Sequence, residues 1–303
     1  MTTVTQRTYI RETDFEAVSR LLVRHYRPKN HDGNWQQPAW EYMHFHPNFQ
    51  PDTEDRIGIW EANGEIVGVA HHEWALGEAF FQFHPGYTWL KPEMLAYAEA
   101  NLARETESGD RELQVFINDF DTNFEAITLE RGYRISDYYR RPISRFWIPD
   151  PFPPIKLPAG FRVKSLADEF SLEKMHRVLW RGFNHAGDPP PEGVVWREIM
   201  TAGPNFRPDL TMVVEGPDGR FVSFCGLWYE PVNRYAYVEP MATDPDFRRM
   251  GLGKAAMMEG IRRCAAEGAT VAYVGSDQPY YLATGFEKLF DSRPWKKMPT
   301  GAE

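Results

Sequence analysis

Five of the ten positions at 149–158 are proline. Each proline lacks a backbone N–H and fixes φ, so this run can sit in neither a helix interior nor a central strand. It reads as a stiff, extended connector, and it cuts the 303-residue chain into two nearly equal parts. That length suits two ordinary domains of roughly 100 to 200 residues each. Hydrophobic residues at 42% and charged residues at 25% are globular averages, which excludes disorder and fibrous repeats.

The two parts echo each other. Pro47-Asn48-Phe49-Gln50-Pro51-Asp52 recurs as Pro204-Asn205-Phe206-Arg207-Pro208-Asp209. Each copy precedes two apolar runs joined by a tight turn: 57–60 and 66–69 around Asn63-Gly64, then 212–214 and 221–224 around Pro217-Asp218-Gly219. Asn-Gly and Asp-Gly supply the positive φ that short hairpins require. A helical pattern precedes each hairpin, at 14–26 with Asp14 as its cap and at 171–183. The second part continues with a strand at 235–243, a helix at 253–267 stopped by Gly268, a strand at 270–274, a short helix at 279–284 and a closing segment from Phe286. In the first part the same order reads 79–83, 92–104, 112–117 and 123–130. The expectation is an α/β fold used twice, each copy a mixed central sheet flanked by helices. The domains are placed at 1–148 and 159–303, with 149–158 as the linker.

Lys plus Arg is 34 against 43 for Asp plus Glu, a net charge of −9. That balance argues against a phosphate-neutralising surface, so neither nucleic acid nor an anionic membrane is expected as a partner. No run approaches the ~18 apolar residues of a membrane span, and Met1-Thr2-Thr3-Val4-Thr5-Gln6-Arg7 lacks the pattern of a secretory signal. The two cysteines, Cys225 and Cys264, fall mid-strand and mid-helix and read as reduced, buried thiols of a cytoplasmic protein.

The most informative stretch is Met241-Ala242-Thr243-Asp244-Pro245-Asp246-Phe247-Arg248-Arg249-Met250-Gly251-Leu252-Gly253-Lys254. A strand ends at Thr243, and a glycine-punctuated loop opens the next helix. Gly251 and Gly253 let the backbone approach a ligand closely, and the first N–H groups of a helix are unpaired donors at its positive end. Together they make an anion cradle suited to a pyrophosphate, to which Arg248, Arg249 and Lys254 add charge. A lone G-x-G also serves a close helix–strand contact. Two rival phosphate motifs are missing, since there is no G-x-x-x-x-G-K-[ST] and no third glycine of the dinucleotide fingerprint.

The string R-R-M-G-L-G at 248–253, behind M-A-T-D-P-D-F, resembles the acetyl-CoA signature (Q/R-x-x-G-x-G/A) of the GNAT N-acetyltransferase superfamily. Downstream, Tyr280-Tyr281-Leu282-Ala283-Thr284-Gly285-Phe286 is similar to the family's Y-x-x-x-G-F. The resemblance implies two tandem GNAT-like domains and an acetyl-CoA-dependent N-acetyltransferase that needs no metal. The acceptor would be a small-molecule or peptide amine attacking directly in a ternary complex. Met241, Ala242 and Thr243 match the strand end that pairs with the pantetheine arm and the acetyl carbonyl. Arg248, Arg249, Met250, Gly251, Leu252 and Gly253 match the pyrophosphate loop, and Tyr281 matches the tyrosine facing the CoA sulfur. A fixed N–H would stabilise the oxyanion and Tyr281 would protonate the departing thiolate.

Glu239 is the candidate general base. Two residues before Met241, it is expected to share a strand face with Tyr237 and Met241; a carboxylate elsewhere or a water chain is the alternative. The Asn common in the family seven residues before the tyrosine is Val274 here, and Ser276 is the expected replacement for its CoA contact. Trp228 and Tyr229 are expected to line the acceptor pocket. The competing reading is a non-catalytic acyl-CoA sensor; the sequence also allows a longer acyl chain and a homodimer.

In the first part, His84-Pro85-Gly86-Tyr87 stands where Asp244-Pro245-Asp246-Phe247 stands, but the glycines and arginines are missing. Thr128 replaces the tyrosine and Glu93 would repel a pyrophosphate. This half reads as a degenerate, silent copy. His71-His72-Glu73 and His44-Phe45-His46 lack metal-ligand spacing and read as structural.

Overall fold

The computed structural model describes residues 3–28 and 33–298. By its internal contacts the chain forms two compact units. One comprises the residues up to His44, Asn48–Ile143 and those from Leu289 onward; the other comprises Phe45–Pro47 and Ser144–Lys288. The expected boundary near residue 148 is therefore crossed by the end of the chain, which joins the first unit. Residues 149–158 have no regular secondary structure and belong to the second unit, where Ile155 and Leu157 pack on its core.

The first unit contains β1 (Val4–Thr8), α1 (Arg11–His25), α2 (Gln37–His44), β2 (Gly58–Ala62), β3 (Glu65–His71), β4 (Glu78–Phe83), α3 (Lys91–Asn101), the short pair β5 (Arg104–Glu105) and β6 (Arg111–Glu112), β7 (Gln114–Asn118), α4 (Thr122–Glu130) and β8 (Tyr133–Ile135). Strands β1 to β4 are antiparallel neighbours, and β4 then runs parallel to β7. Helix α1 starts earlier than the cap reading of Asp14 implied. Asp14 is buried within it, accepting from the Ile10 N–H at 2.8 Å and pairing with Arg7.

The second unit contains β9 (Arg141–Trp147, of which 144–147 lie in this unit), β10 (Arg162–Ser165), α5 (Leu172–Gly182), α6 (Val195–Met200), β11 (Met212–Glu215), β12 (Phe221–Glu230), β13 (Tyr235–Thr243), α7 (Leu252–Ala266), β14 (Val271–Val274) and α8 (Pro279–Thr284). The strand order is β9-β14-β13-β12-β11-β10, antiparallel except for the parallel pair β13–β14. The expected mixed α/β sheet is present. Ser171 caps α5, its Oγ accepting from the Lys174 N–H at 3.2 Å. Helix α7 buries Ala256, Met257, Ile261 and Cys264 against Ala236, Val238, Ala272 and Val274 of the sheet. Fully burying a side chain of Ile or Met size stabilises by about 1.5–3 kcal/mol, so α7 is held rigidly beside the end of β13.

The last described strand is β15 (Glu287–Lys297), whose residues 292–297 pair with β7 and β8 of the first unit. Trp295 of that strand lies in the first unit's core with Trp60, Phe81, Met94 and Val115. No helix among the described residues is long and apolar enough to cross a membrane.

Candidate active site

Pairing between β13 and β14 covers 235–238 against 271–274 and stops there. Beyond it β13 runs on to Thr243 without a β14 partner, and its last residues line a cavity. A bulge shapes this stretch. On β12 only one residue separates Cys225 from Leu227, whereas their partners Met241 and Val238 are three apart on β13. The extra residue reverses the alternation, so Met241 lies on the face of Val238 and packs on the α7 core. The expectation that Glu239 and Met241 share a face fails for that reason. Trp228 braces the bulge from β12: buried, it donates Nε1–H to the Glu239 carbonyl at 2.9 Å.

The glycine loop lies beside the open strand end. Gly251 caps α7 with φ +80°, a left-handed conformation that L side chains resist. A Cβ on Gly253 would stand 2.7 Å from Met241 Cε and 2.9 Å from Thr243 Oγ1, so only glycine keeps this contact without displacing a neighbour. The resulting cavity, of about 760 Å³, is lined by Met241, Ala242, Thr243, Arg248, Arg249, Gly251, Leu252, Gly253 and Lys254, with Tyr280 and Tyr281 of α8 and Gly182, Phe183 and Asn184 behind α5. The exposed Lys254 makes no ion pair among the described residues, nor does Arg249, which sits at φ +63°. Two uncommitted cations at the positive end of a 15-residue helix give the cavity mouth an anion-attracting potential.

Arg248 is used differently. Its Nε donates to the Thr243 carbonyl at 3.1 Å, and its Nη2 donates to the Gly182 carbonyl at 2.8 Å and to Asn184 Oδ1 at 2.9 Å. It ties the end of α5 to the end of β13, a role no local motif announces. Met250 faces a second cavity of about 770 Å³, which meets the first at Gly251, Lys254 and Thr284. Its other walls are Phe146, Met258 and the proline-rich run, including Ile155, Lys156 and Leu157. The segment expected to be only a linker thus supplies one wall of a pocket.

Tyr281 packs edge-on against Phe286 and Tyr280, with ring centroids 5.8 and 5.1 Å away. Burial pushes its hydroxyl well above the ordinary tyrosine range, and the charge of Glu239 adds to the shift. It is therefore protonated at neutral pH. Glu239 stands at the bulge, within electrostatic reach of Tyr281, but it is not among the residues lining the first cavity. Ser276 is also outside that lining; its Oγ accepts from the Gln278 N–H at 3.3 Å, and Gln278 is the lining residue. Tyr229 does not reach this region either. Its hydroxyl donates to the Glu267 carbonyl at the far end of α7 from the glycine loop.

In the first unit, Thr128 is fully buried and donates to the Phe124 carbonyl at 2.7 Å, and Glu93 accepts from Trp60 Nε1 at 2.7 Å. His71 and His44 are buried members of a hydrogen-bonded aromatic cluster. No group of three His, Cys, Asp or Glu among the described residues could hold a metal ion.

The acetyltransferase (GNAT) family profile matches residues 172–286. No curated protein is significantly similar to the chain. A tandem GNAT protein from the clavulanic acid biosynthesis pathway has a TM-score of 0.65 at 13% identity, over 98% of this chain and 100% of that one. A GCN5-related N-acetyltransferase from Sphaerobacter thermophilus has 0.62 at 14%, over 97% and 95%. A GNAT-family acetyltransferase from Colwellia psychrerythraea has 0.55 at 11%, over 96% and 98%. Residues 172–286 match the GNAT acetyltransferase family, and the fold over nearly the whole chain is that of a tandem GNAT protein.

Proposed function

We propose that the second unit transfers the acetyl group of acetyl-CoA to the amine of a small-molecule or peptide acceptor by direct attack. One observation carries the reading: a single cavity is lined by the glycine loop of α7, the open edge of β13 and Tyr281. The residues suit the co-substrate. Gly253 lets the start of α7 pack closely on the end of β13, Gly251 aims the α7 N-terminus, and Arg249 and Lys254 offer uncommitted charge for a pyrophosphate.

The thioester supplies an acyl group already activated for transfer. The chain's residues do the rest. Backbone groups of Met241 and Thr243 facing the cleft hold the pantetheine arm, and a fixed N–H at this strand end opposes the charge developing on the carbonyl oxygen. Tyr281, kept neutral by burial, gives its proton to the departing sulfur. Glu239 is the base for a protonated amine, directly or through water. The second cavity suits the nucleotide end, with Lys156 and Lys254 available to its 3′-phosphate. The first unit is read as a degenerate copy that takes no part in the chemistry.

The test is release of free thiol from acetyl-CoA with a panel of amines, for wild type and Tyr281→Phe. Acceptor-dependent release that falls about 100-fold in the variant, with KM for acetyl-CoA unchanged, is expected. Undiminished turnover removes Tyr281 as the acid. Binding without turnover for any acceptor favours the sensor reading.

A further inference from the structure

Both units build the same strand end, and their registers allow comparison residue by residue. The His84 N–H bonds the Val67 carbonyl at 2.9 Å, as the Asp244 N–H bonds the Val222 carbonyl at 3.0 Å. Phe83 pairs with Gly68 as Thr243 pairs with Ser223. Phe83 is therefore the counterpart of Thr243. Successive strand residues hydrogen-bond to opposite sides, so the N–H and C=O of Phe83 point away from β3. On that side β7 is paired only with Glu78 and Ala79. Phe83 faces a gap between two splayed strands, as Thr243 does in the second unit.

In the first unit the gap is filled by the chain itself. Asn34, wholly buried, donates Nδ2–H to the Phe83 carbonyl at 2.9 Å and accepts the Phe83 N–H on Oδ1 at 2.7 Å. Across the gap, Asn118 of β7 donates Nδ2–H to the Gly33 carbonyl at 2.8 Å. The next residue, Trp35, donates its N–H to Gln82 Oε1 at 2.8 Å. Where α7 has its glycine loop, the first residue of α3 is Lys91, buried, with Nζ 2.7 and 2.8 Å from the Asp121 carboxylate oxygens and over the Phe83 and Phe124 rings. A side-chain carboxamide carries the same donor and acceptor as an amide of a pantetheine arm.

We propose that Asn34 is a built-in surrogate ligand: its carboxamide occupies the backbone positions an acyl-CoA amide would need, closing the first unit, so that the chain binds one acyl-CoA. This rests on the proposed function only for the identity of the excluded ligand. Calorimetric titration of the full chain with acetyl-CoA is expected to give one mole per mole. Amide exchange should then slow within 241–254 on binding and stay unchanged at 80–83. Two moles bound, or ligand-dependent slowing at 80–83, overturns the proposal. Without ligand, the Phe83 amide should exchange about tenfold faster or more in Asn34→Ala than in wild type, since its partner is gone; equal rates overturn it. If the wild-type chain binds no acetyl-CoA, the proposed function fails, and this ligand-free comparison still decides the role of Asn34. The stoichiometry is read on wild type and does not depend on the variant folding.

Discussion

Arg181 of α5 donates Nε–H to Oδ2 of the fully buried Asp244 at 2.7 Å, and Arg177 approaches the same oxygen at 3.2 Å. Burial alone would raise the Asp244 pKa, but Arg181, the Asp246 N–H and Arg177 together outweigh it and hold the carboxylate below its ordinary range. Asp244 also accepts from the Asp246 N–H at 3.2 Å, so one side chain anchors the start of the loop that leads to Gly251. Breaking a buried pair leaves uncompensated charge. Asp244→Ala should cost about 3 kcal/mol of stability, the lower end because the arginines keep some solvent contact, and raise KM for acetyl-CoA. Denaturant melts and initial rates check both; a variant as stable as wild type would show the clamp to be idle.

Gly253→Val should act on binding rather than on chemistry. Its branched side chain would enter space now shared by Met241 Cε and Thr243 Oγ1. We expect KM for acetyl-CoA to rise about tenfold or more while kcat stays within about twofold, the signature of lost uniform binding. A fall in kcat at unchanged KM would contradict this role.

Lys156 makes no ion pair among the described residues and lines the cavity proposed for the nucleotide. Lys156→Glu should raise KM for acetyl-CoA about fivefold at low salt, and less near 1 M salt, where screening shortens to about 3 Å. With the 3′-dephospho form as substrate, the substitution should matter little. Equal effects on both would remove Lys156 as a phosphate partner.

The buried histidines of the first unit predict acid sensitivity. Burial pushes His44 and His71 down to about 3, far below the ordinary histidine pKa. Both rings are neutral in the fold, with Nδ1–H donating to the carbonyls of Trp40 and His72 at 2.8 Å each. A depressed histidine pKa means the unfolded chain binds the proton first. The stabilising contribution is complete above about pH 6.5 and is lost as pH falls from there toward 3. At pH 5 each ring should cost about 2 kcal/mol. Chemical denaturation at pH 7.5 and 5 measures this; His71→Gln should flatten part of the dependence. A stability independent of pH over that range would contradict it.

Local features were readable from the sequence because local chemistry sets them. The expected helix at 171–183 is Leu172–Gly182, that at 253–267 is Leu252–Ala266, and that at 279–284 is Pro279–Thr284. The glycine loop and Tyr281 were legible for the same reason, and they meet at one cavity. Features set by tertiary contact were not. Nothing in the spacing of Glu239 and Met241 reveals a bulge between them, because a bulge is a mismatch with the neighbouring strand. Arg248 reads as phosphate charge until the carbonyl of Gly182, distant in sequence, is seen to accept its hydrogen bond. Helices α2 and α6 went unread: eight and six residues give little periodicity, and neither ends on a glycine as α8 does at Gly285. Asn34 lies in a stretch with no motif at all.

The closing strand β15 carries a consequence for biosynthesis. Strands β7 and β8 pair with residues 292–297, which are translated only after the whole of the second unit. Trp295 completes a core whose other members were translated long before. Domains usually fold in order of synthesis, but here the unit begun first cannot be finished until the second has been translated. The nascent first unit waits with an unfilled sheet edge, and a chain stopped just past Lys288 would hold every residue of the second unit while leaving the first permanently open.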